Sequence, residues 1–305
     1  MGTGRRTGPC DGEGNHRLGR GRPPPRTGLP AGSPAGTGAC AVTAAPVAGP
    51  ASGIPTASAA GGLDEAPALR HIAVVVPVHN EEQLLGRCLR RLQRAMDALI
   101  TGQPHCSVEL VVVLDRCTDQ SAAIAEHTAR SDERIAVLAG DFGSVGAARA
   151  AGVCAALEAE SHHVSAEKTW LACTDADTLV PENWLTSFVR LADAGADAVA
   201  GTVEPDTASL APGLLRAWRH NYAGQEPSTR VHGANLGVRA SLYLAAGGFP
   251  ALAEHEDVRL VEAIRSLGGV VLPAAHLQVT TSGRLKGRTP GGFAGYLANL
   301  EAASS

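Results

Sequence analysis

The run HIAVVVPV, residues 71–78, constrains this chain more than any other feature. It is continuous, apolar and β-branched, so it cannot lie on a sheet with one wet face. Such a strand is buried on both sides and needs helices above and below it. Residues 81–100 then place Leu84, Leu85, Cys88, Leu89, Leu92, Met96 and Leu99 at helical spacing. The alternation repeats, with strands at 108–114, 134–138, 170–173 and 197–202 and helices at 119–130, 144–157 and 181–194. Pro181 suits the first turn of the last helix. This order predicts an α/β fold: one doubly wound, mostly parallel sheet flanked by helices. Ligands of such sheets bind beyond the carboxyl ends of the strands.

Polar residues gather at that edge. The first strand ends in Val78-His79-Asn80-Glu81 and the second in Leu114-Asp115-Arg116-Cys117-Thr118-Asp119. The fourth breaks at Thr174-Asp175-Ala176-Asp177. Thr118 and Asp119 are placed to cap the second helix, whereas Asp115, directly on the last strand residue, is placed to face a ligand. Asp175 and Asp177 hold two carboxylates close together, and like charges that close call for a positive partner. No phosphate loop of the G-x-x-x-x-G-K-[ST] kind occurs, and Gly143, Gly146 and Gly152 do not form the dinucleotide fingerprint.

Residues 1–67 read differently. Residues 1–62 hold 15 Gly and 9 Pro, and no aromatic residue precedes Phe142. That composition cannot offset the entropy of ordering a backbone, so a disordered tail is expected. An over-extended start, with Val42, Val47 or Leu63 as the true first residue, accounts for the same stretch. Six arginines against Asp11 and Glu13 give residues 1–62 a net +4, which leaves −8 of the chain's −4 for residues 63–305. The folded part is thus acidic and is expected to lack a basic stripe, so no nucleic-acid partner is expected. No run approaches the roughly 20 apolar residues of a membrane helix. Seven scattered cysteines without a C-x-x-C pair read as reduced, in a cytoplasmic protein.

Taken in order, Pro77-x-x-Asn80-Glu81, Asp115-x-x-Thr118-Asp119, Ala147-Ala148-Arg149, Thr174-Asp175-Ala176-Asp177, Gly233-Ala234-Asn235-Leu236, Gly247-Gly248-Phe249 and Glu256-Asp257 resemble the family 2 glycosyltransferases of the GT-A fold. The resemblance covers residues 68–300 and implies a single GT-A domain there. It implies a nucleoside diphosphate sugar donor, an acceptor of unknown identity, and inversion at the anomeric carbon. Asp115 would accept from the base, with Pro77, Asn80 and Glu81 shaping the pocket. Arg149 would lie near it, unless it makes a helix-surface ion pair. Asp175 would meet the ribose or a metal-bound water, and Asp177 would ligate Mg²⁺ or Mn²⁺, the positive partner the D-x-D turn calls for. Asp257 would be the base, unless Glu256 and Asp257 only cap a helix. Arg284, Lys286 and Arg288 fit a lid over the diphosphate as well as they fit solvated charges. His276 reads as a packed strand residue, or by the resemblance as a metal ligand. A nucleotidyltransferase is the rival, disfavoured because the loop after the first strand is acidic; a non-catalytic sugar-nucleotide-binding protein is another.

Overall fold

A computed structural model of the chain describes residues 68–159, 164–224, 226, 230–287 and 291–304. The expected tail at 1–67 and Arg288 lie outside them. The elements run β1 His71–Val78, α1 Leu85–Gly102, β2 Ser107–Asp115, α2 Ser121–Ser131, β3 Ile135–Gly140, α3 Val145–Glu158, β4 Thr169–Cys173 and β5 Thr178–Leu179. They continue α4 Trp184–Asp193, β6 Ala198–Pro205, α5 Pro212–Ala223, β7 Leu236–Arg239, α6 Ala240–Ala245, α7 Glu256–Ser266, β8 Val271–Thr281 and α8 Phe293–Ser304.

One eight-stranded sheet has the order β3-β2-β1-β4-β7-β6-β8-β5. The first four strands are mutually parallel, as the alternation requires. Beyond β4 the sheet is mixed: β7 runs antiparallel to β4 and β6, β8 is parallel to β6, and β5 is antiparallel to β8. β5, β7 and β8 are additions to the five expected strands. Two short ones fall in polar or Gly-containing stretches that carry no period.

The all-apolar β1 does divide between two faces. Ile72, Val74 and Val76 pack with Leu85, Leu89, Leu92, Met96, Trp184 and Phe188 on one side. Ala73 and Val75 pack with Val153, Leu260 and Ile264 on the other. A smaller core joins α5 to α8 through Leu210, Leu214, Trp218, Leu297 and Leu300. Cys88, Cys106, Cys117, Cys154 and Cys173 form no disulfide among the described residues, and burial pushes the thiol of Cys106 up to about 11. No helix among the described residues is long and apolar enough to cross a membrane.

Two expectations are corrected. His276 is exposed on β8, neither packed nor in the cleft described below. The folded part does carry a basic stripe: Arg87, Arg90, Arg91 and Arg94 line one recess on α1. The sequence hid it because the arginines are interleaved with the apolar residues of the buried face.

Asn235 ties the mixed half together. It is wholly buried, its Oδ1 accepts from Trp184 Nε1 at 2.9 Å, and its Nδ2 donates to Thr202 O at 2.9 Å and Leu277 O at 2.8 Å. One side chain thereby joins α4, β6 and β8. Asn235→Ala strands three buried polar groups at about 1–3 kcal/mol each. We expect urea unfolding to show a loss of at least about 3 kcal/mol; a loss below about 1 kcal/mol would show that water or relaxation replaces the side chain.

Candidate active site

A cleft of about 680 Å³ opens at the carboxyl ends of β1, β2 and β4. Its walls include Pro77, Glu81, Asp115, Arg149, Asp175, Asp177, Asp257 and Arg284. These residues come from six separate stretches of chain, so the fold alone assembles them.

Asp115 ends β2. Its Oδ1 accepts from the backbone N–H of Phe142 at 2.8 Å and of Gly143 at 3.3 Å, which fixes the loop between β3 and α3. Its carbonyl accepts from His79 Nδ1 at 2.6 Å, which sets the tautomer of that ring. Oδ2 takes no hydrogen bond from the described residues and remains for a donor in the cleft. Asn80 is absent from the cleft wall. It adopts φ 53°, and its Oδ1 accepts from Thr118 N at 2.7 Å, joining the loops that follow β1 and β2. Asp119 supports the same junction: its carboxylate accepts from Ser121 N and Glu82 N, each at 2.9 Å. Arg116 and His255 also have left-handed backbones and both line the cleft. Non-glycine residues pay a strain cost for that conformation, and such residues gather where geometry serves a site.

The two aspartates of the D-x-D turn each meet an arginine. Arg149 is buried in α3; its guanidinium donates to Asp175 Oδ1 at 2.5 Å and to Glu256 Oε1. Burial disfavours its charge, yet Asp175 and other nearby acids hold its pKa above the ordinary value. The backbone of Asp175 is fixed from beneath, where Cys88 Sγ donates to its carbonyl at 3.4 Å. Asp177 sits where β5 pairs with β8. Thr281 Oγ1 donates to its Oδ1 at 3.4 Å, and Arg284, just past β8, reaches its Oδ2 at 3.1 Å. Arg284 also grips Glu81 with two hydrogen bonds of 2.7 and 3.0 Å. Burial again opposes the charge, and Glu81 and Asp177 overcome it, so the Arg284 pKa is raised.

Asp257 lies in the first turn of α7. Its Oδ2 accepts from Gly233 N at 2.5 Å and its Oδ1 from Val258 N at 2.8 Å. A Cβ on Gly233 would sit 2.6 Å from the Arg149 guanidinium, so only glycine lets the backbone reach Asp257 while Arg149 passes behind it. The adjoining wall holds Trp218 stacked on Tyr222, with His232 beyond, ring centroids 4.9 and 6.1 Å apart. Burial keeps the His232 pKa below its usual value although Asp257 pulls the other way, so the ring is neutral near pH 7.

Sequence reasoning missed Glu256 as the second partner of Arg149, Arg284 as the partner of Asp177, and the His232 wall. A signal for the first was present: a lone arginine inside the apolar helix VGAARAAGVCAAL needs a buried acid. Two guanidinium groups meet the aspartates, beside the cation that the resemblance implies for Asp177. No cluster of three His, Cys, Asp or Glu side chains able to hold a cation forms among the described residues. Mg²⁺ and Mn²⁺ take oxygen ligands, and Mg²⁺ commonly combines one or two carboxylates with water and substrate phosphates. Asp177 fits a cation that arrives with a diphosphate, and does not fit one held by protein alone.

The chain matches the family model "Glycosyl transferase family 2" over residues 73–226. Glycosyltransferase GlyA of Streptococcus pneumoniae is 37% identical over 82 residues, 27% of this chain and 11% of that protein. Among solved structures, the mannosyltransferase PcManGT from Pyrobaculum calidifontis, in complex with GDP-Man and Mn²⁺, superposes with TM-score 0.52 at 18% identity, over 71% of this chain and 57% of that one. S. aureus TarS 1-349 in complex with UDP gives TM-score 0.50 at 19% identity, over 70% and 61%. The chain therefore spans about a ninth of GlyA and about three-fifths of the two solved structures. The two superpositions establish the GT-A fold.

Removing one partner of a buried ion pair costs about 3–5 kcal/mol, because the remaining charge is left uncompensated. Glu256→Ala is expected to lose about that much in urea unfolding. Arg149→Met with Glu256→Leu should recover part of it. If the single variant unfolds like the parent, the triad does not hold the cleft together.

Proposed function

The chain belongs to glycosyl transferase family 2, and from that premise we propose that it is a glycosyltransferase that moves a sugar from a nucleoside diphosphate to an acceptor hydroxyl in this cleft, with a divalent cation and with inversion. The observation that carries the reading is the convergence of Asp115, Asp175, Asp177 and Asp257 on one cleft, with Arg149 and Arg284 as their counter-charges.

In this reading the base lies against Pro77, and Asp115 Oδ2 accepts its imino N–H. Asp175, anchored by Arg149, faces the ribose or a water of the cation. Asp177 would hold Mg²⁺ or Mn²⁺. The cation, when bound, neutralises charge developing on the diphosphate leaving group. Arg284 exchanges Asp177 for a diphosphate oxygen, a bidentate partner suited to a guanidinium, while Glu81 keeps it at the rim. Asp257 accepts the proton of the attacking hydroxyl as that oxygen bonds to the anomeric carbon and the diphosphate departs from the opposite face. The Gly233 amide holds the carboxylate still, and such a positioned base contributes about 10²–10⁴ in rate. Attack by the acceptor itself, with no covalent sugar on the protein, inverts the anomeric configuration. The wall of Trp218, Tyr222 and His232 borders the side from which the acceptor enters.

Thermal unfolding with a panel of nucleoside diphosphates and sugar nucleotides, each with and without Mn²⁺, tests the donor site. One nucleotide should raise the melting temperature only when Mn²⁺ is present, Mn²⁺ alone should do nothing, and Asp177→Ala should lose the effect. Stabilisation by Mn²⁺ alone, or nucleotide binding that ignores the metal, would remove Asp177 as its ligand. Asp257→Asn should keep that stabilisation while kcat for nucleoside diphosphate release falls by about 10²-fold or more. An unchanged kcat takes the base role from Asp257.

A further inference from the structure

The solvent face of α1 carries Arg87, Arg90, Arg91 and Arg94, which with Leu179 of β5 line a shallow recess of about 250 Å³. Three of the four are exposed and Arg91 is half-buried. Residues three and four apart on a helix are neighbours, so 87 meets 90 and 91, and 94 meets the same two. Every such pair is like-charged and destabilising. None of the four has a hydrogen bond or ion pair with a side chain among the described residues. Several other arginines are matched: Arg134 by Asp97 and Asp132, Arg219 by Glu204, Arg149 and Arg284 by the acids of the cleft. Residues 63–305 sum to −8, so this face is opposite in sign to the rest of the fold.

We propose that this face docks on anionic phospholipid headgroups. Guanidinium forks match phosphate oxygens in bidentate fashion and are weakly hydrated, which suits them to a headgroup layer. Extent and charge separate a lipid surface from a nucleic acid. The four residues span about 10 Å of helix axis, and the acidic remainder repels any polyanion that reaches past them. A planar layer needs only the one face, and the opposed charge of the rest orients the molecule with α1 toward it. The recess also borders the cleft, because Leu179 follows Asp177 by two residues and Cys88 of α1 bonds to the Asp175 carbonyl. A docked bilayer therefore lies beside the D-x-D turn.

The test uses the full chain and sedimentable vesicles of phosphatidylcholine, alone or with about a third phosphatidylglycerol. Each basic residue near such a surface contributes several-fold to partitioning, so replacing all four by Gln should weaken binding to the anionic vesicles by about a hundredfold or more. Binding of the parent should fall as salt rises and be absent on neutral vesicles. Residues 1–62 are present in both proteins, so the difference reports on α1. The variant's melting temperature should equal or exceed that of the parent, since like-charge repulsion is relieved. If it does not fold, the double variant Arg87→Gln/Arg94→Gln, at two exposed positions, should still lose about tenfold. Equal binding by parent and variant, or equal binding to neutral vesicles, overturns the proposal. So does retention on a duplex oligonucleotide in preference to vesicles, which would reassign the face to nucleic acid. Stabilisation by inorganic phosphate without vesicle binding would likewise reassign it to a small anion.

Discussion

The contact on which the cleft depends is the triad Glu256–Arg149–Asp175, in which the arginine and the glutamate are buried. Arg149 lies in a helix otherwise built from alanine, glycine and small apolar residues, and 107 positions separate it from Glu256. An unpaired guanidinium at that depth would be far too costly to keep. The charge forces α7 and the D-x-D turn toward α3, and that approach brings Asp257 within reach of the Gly233 amide. Such pairs add little net stability compared with apolar packing. What this one contributes is position: it fixes two segments of the cleft wall that share no secondary-structure hydrogen bonds.

The second constraint is topological. The parallel half of the sheet presents three strand ends to one edge, as any doubly wound sheet does. The mixed half then carries β8 back along β5, so that Thr281 pairs with Thr178 and the chain leaving β8 passes over Asp177. Arg284 reaches Asp177 and Glu81 for that reason, although 203 positions separate it from Glu81. The same guanidinium that satisfies these acids is suited to a diphosphate. A cleft lined by acids can stay folded without a ligand, because its own cations stand in.

Sign and placement of charge run through the molecule in the same way. The cleft gathers acids and matches them with Arg149 and Arg284, whereas α1 displays arginines that no side chain among the described residues matches. Within the cleft, acids and guanidinium groups are paired with one another. On α1 the arrangement asks for a partner that carries phosphate.

The apolar, β-branched runs and their helical partners determined β1 to β4, β6 and four helices, because burial on both faces leaves a pattern that local residues carry by themselves. Asp115, Asp175, Asp177 and Asp257 were legible for a related reason: each ends a strand or opens a helix, and local chemistry marks those places. Even so, the role of Asn80 changed, since its left-handed backbone turns its amide toward Thr118 instead of the cleft. The mixed half of the sheet was not legible, because β5 and β7 are only two and four residues long and are held by pairing across the fold. Tertiary structure alone decided which cation meets which acid. The sequence set Arg149 and Arg284 near the site, but only the distances set by the sheet make one a buried anchor and the other a counter-ion to Asp177.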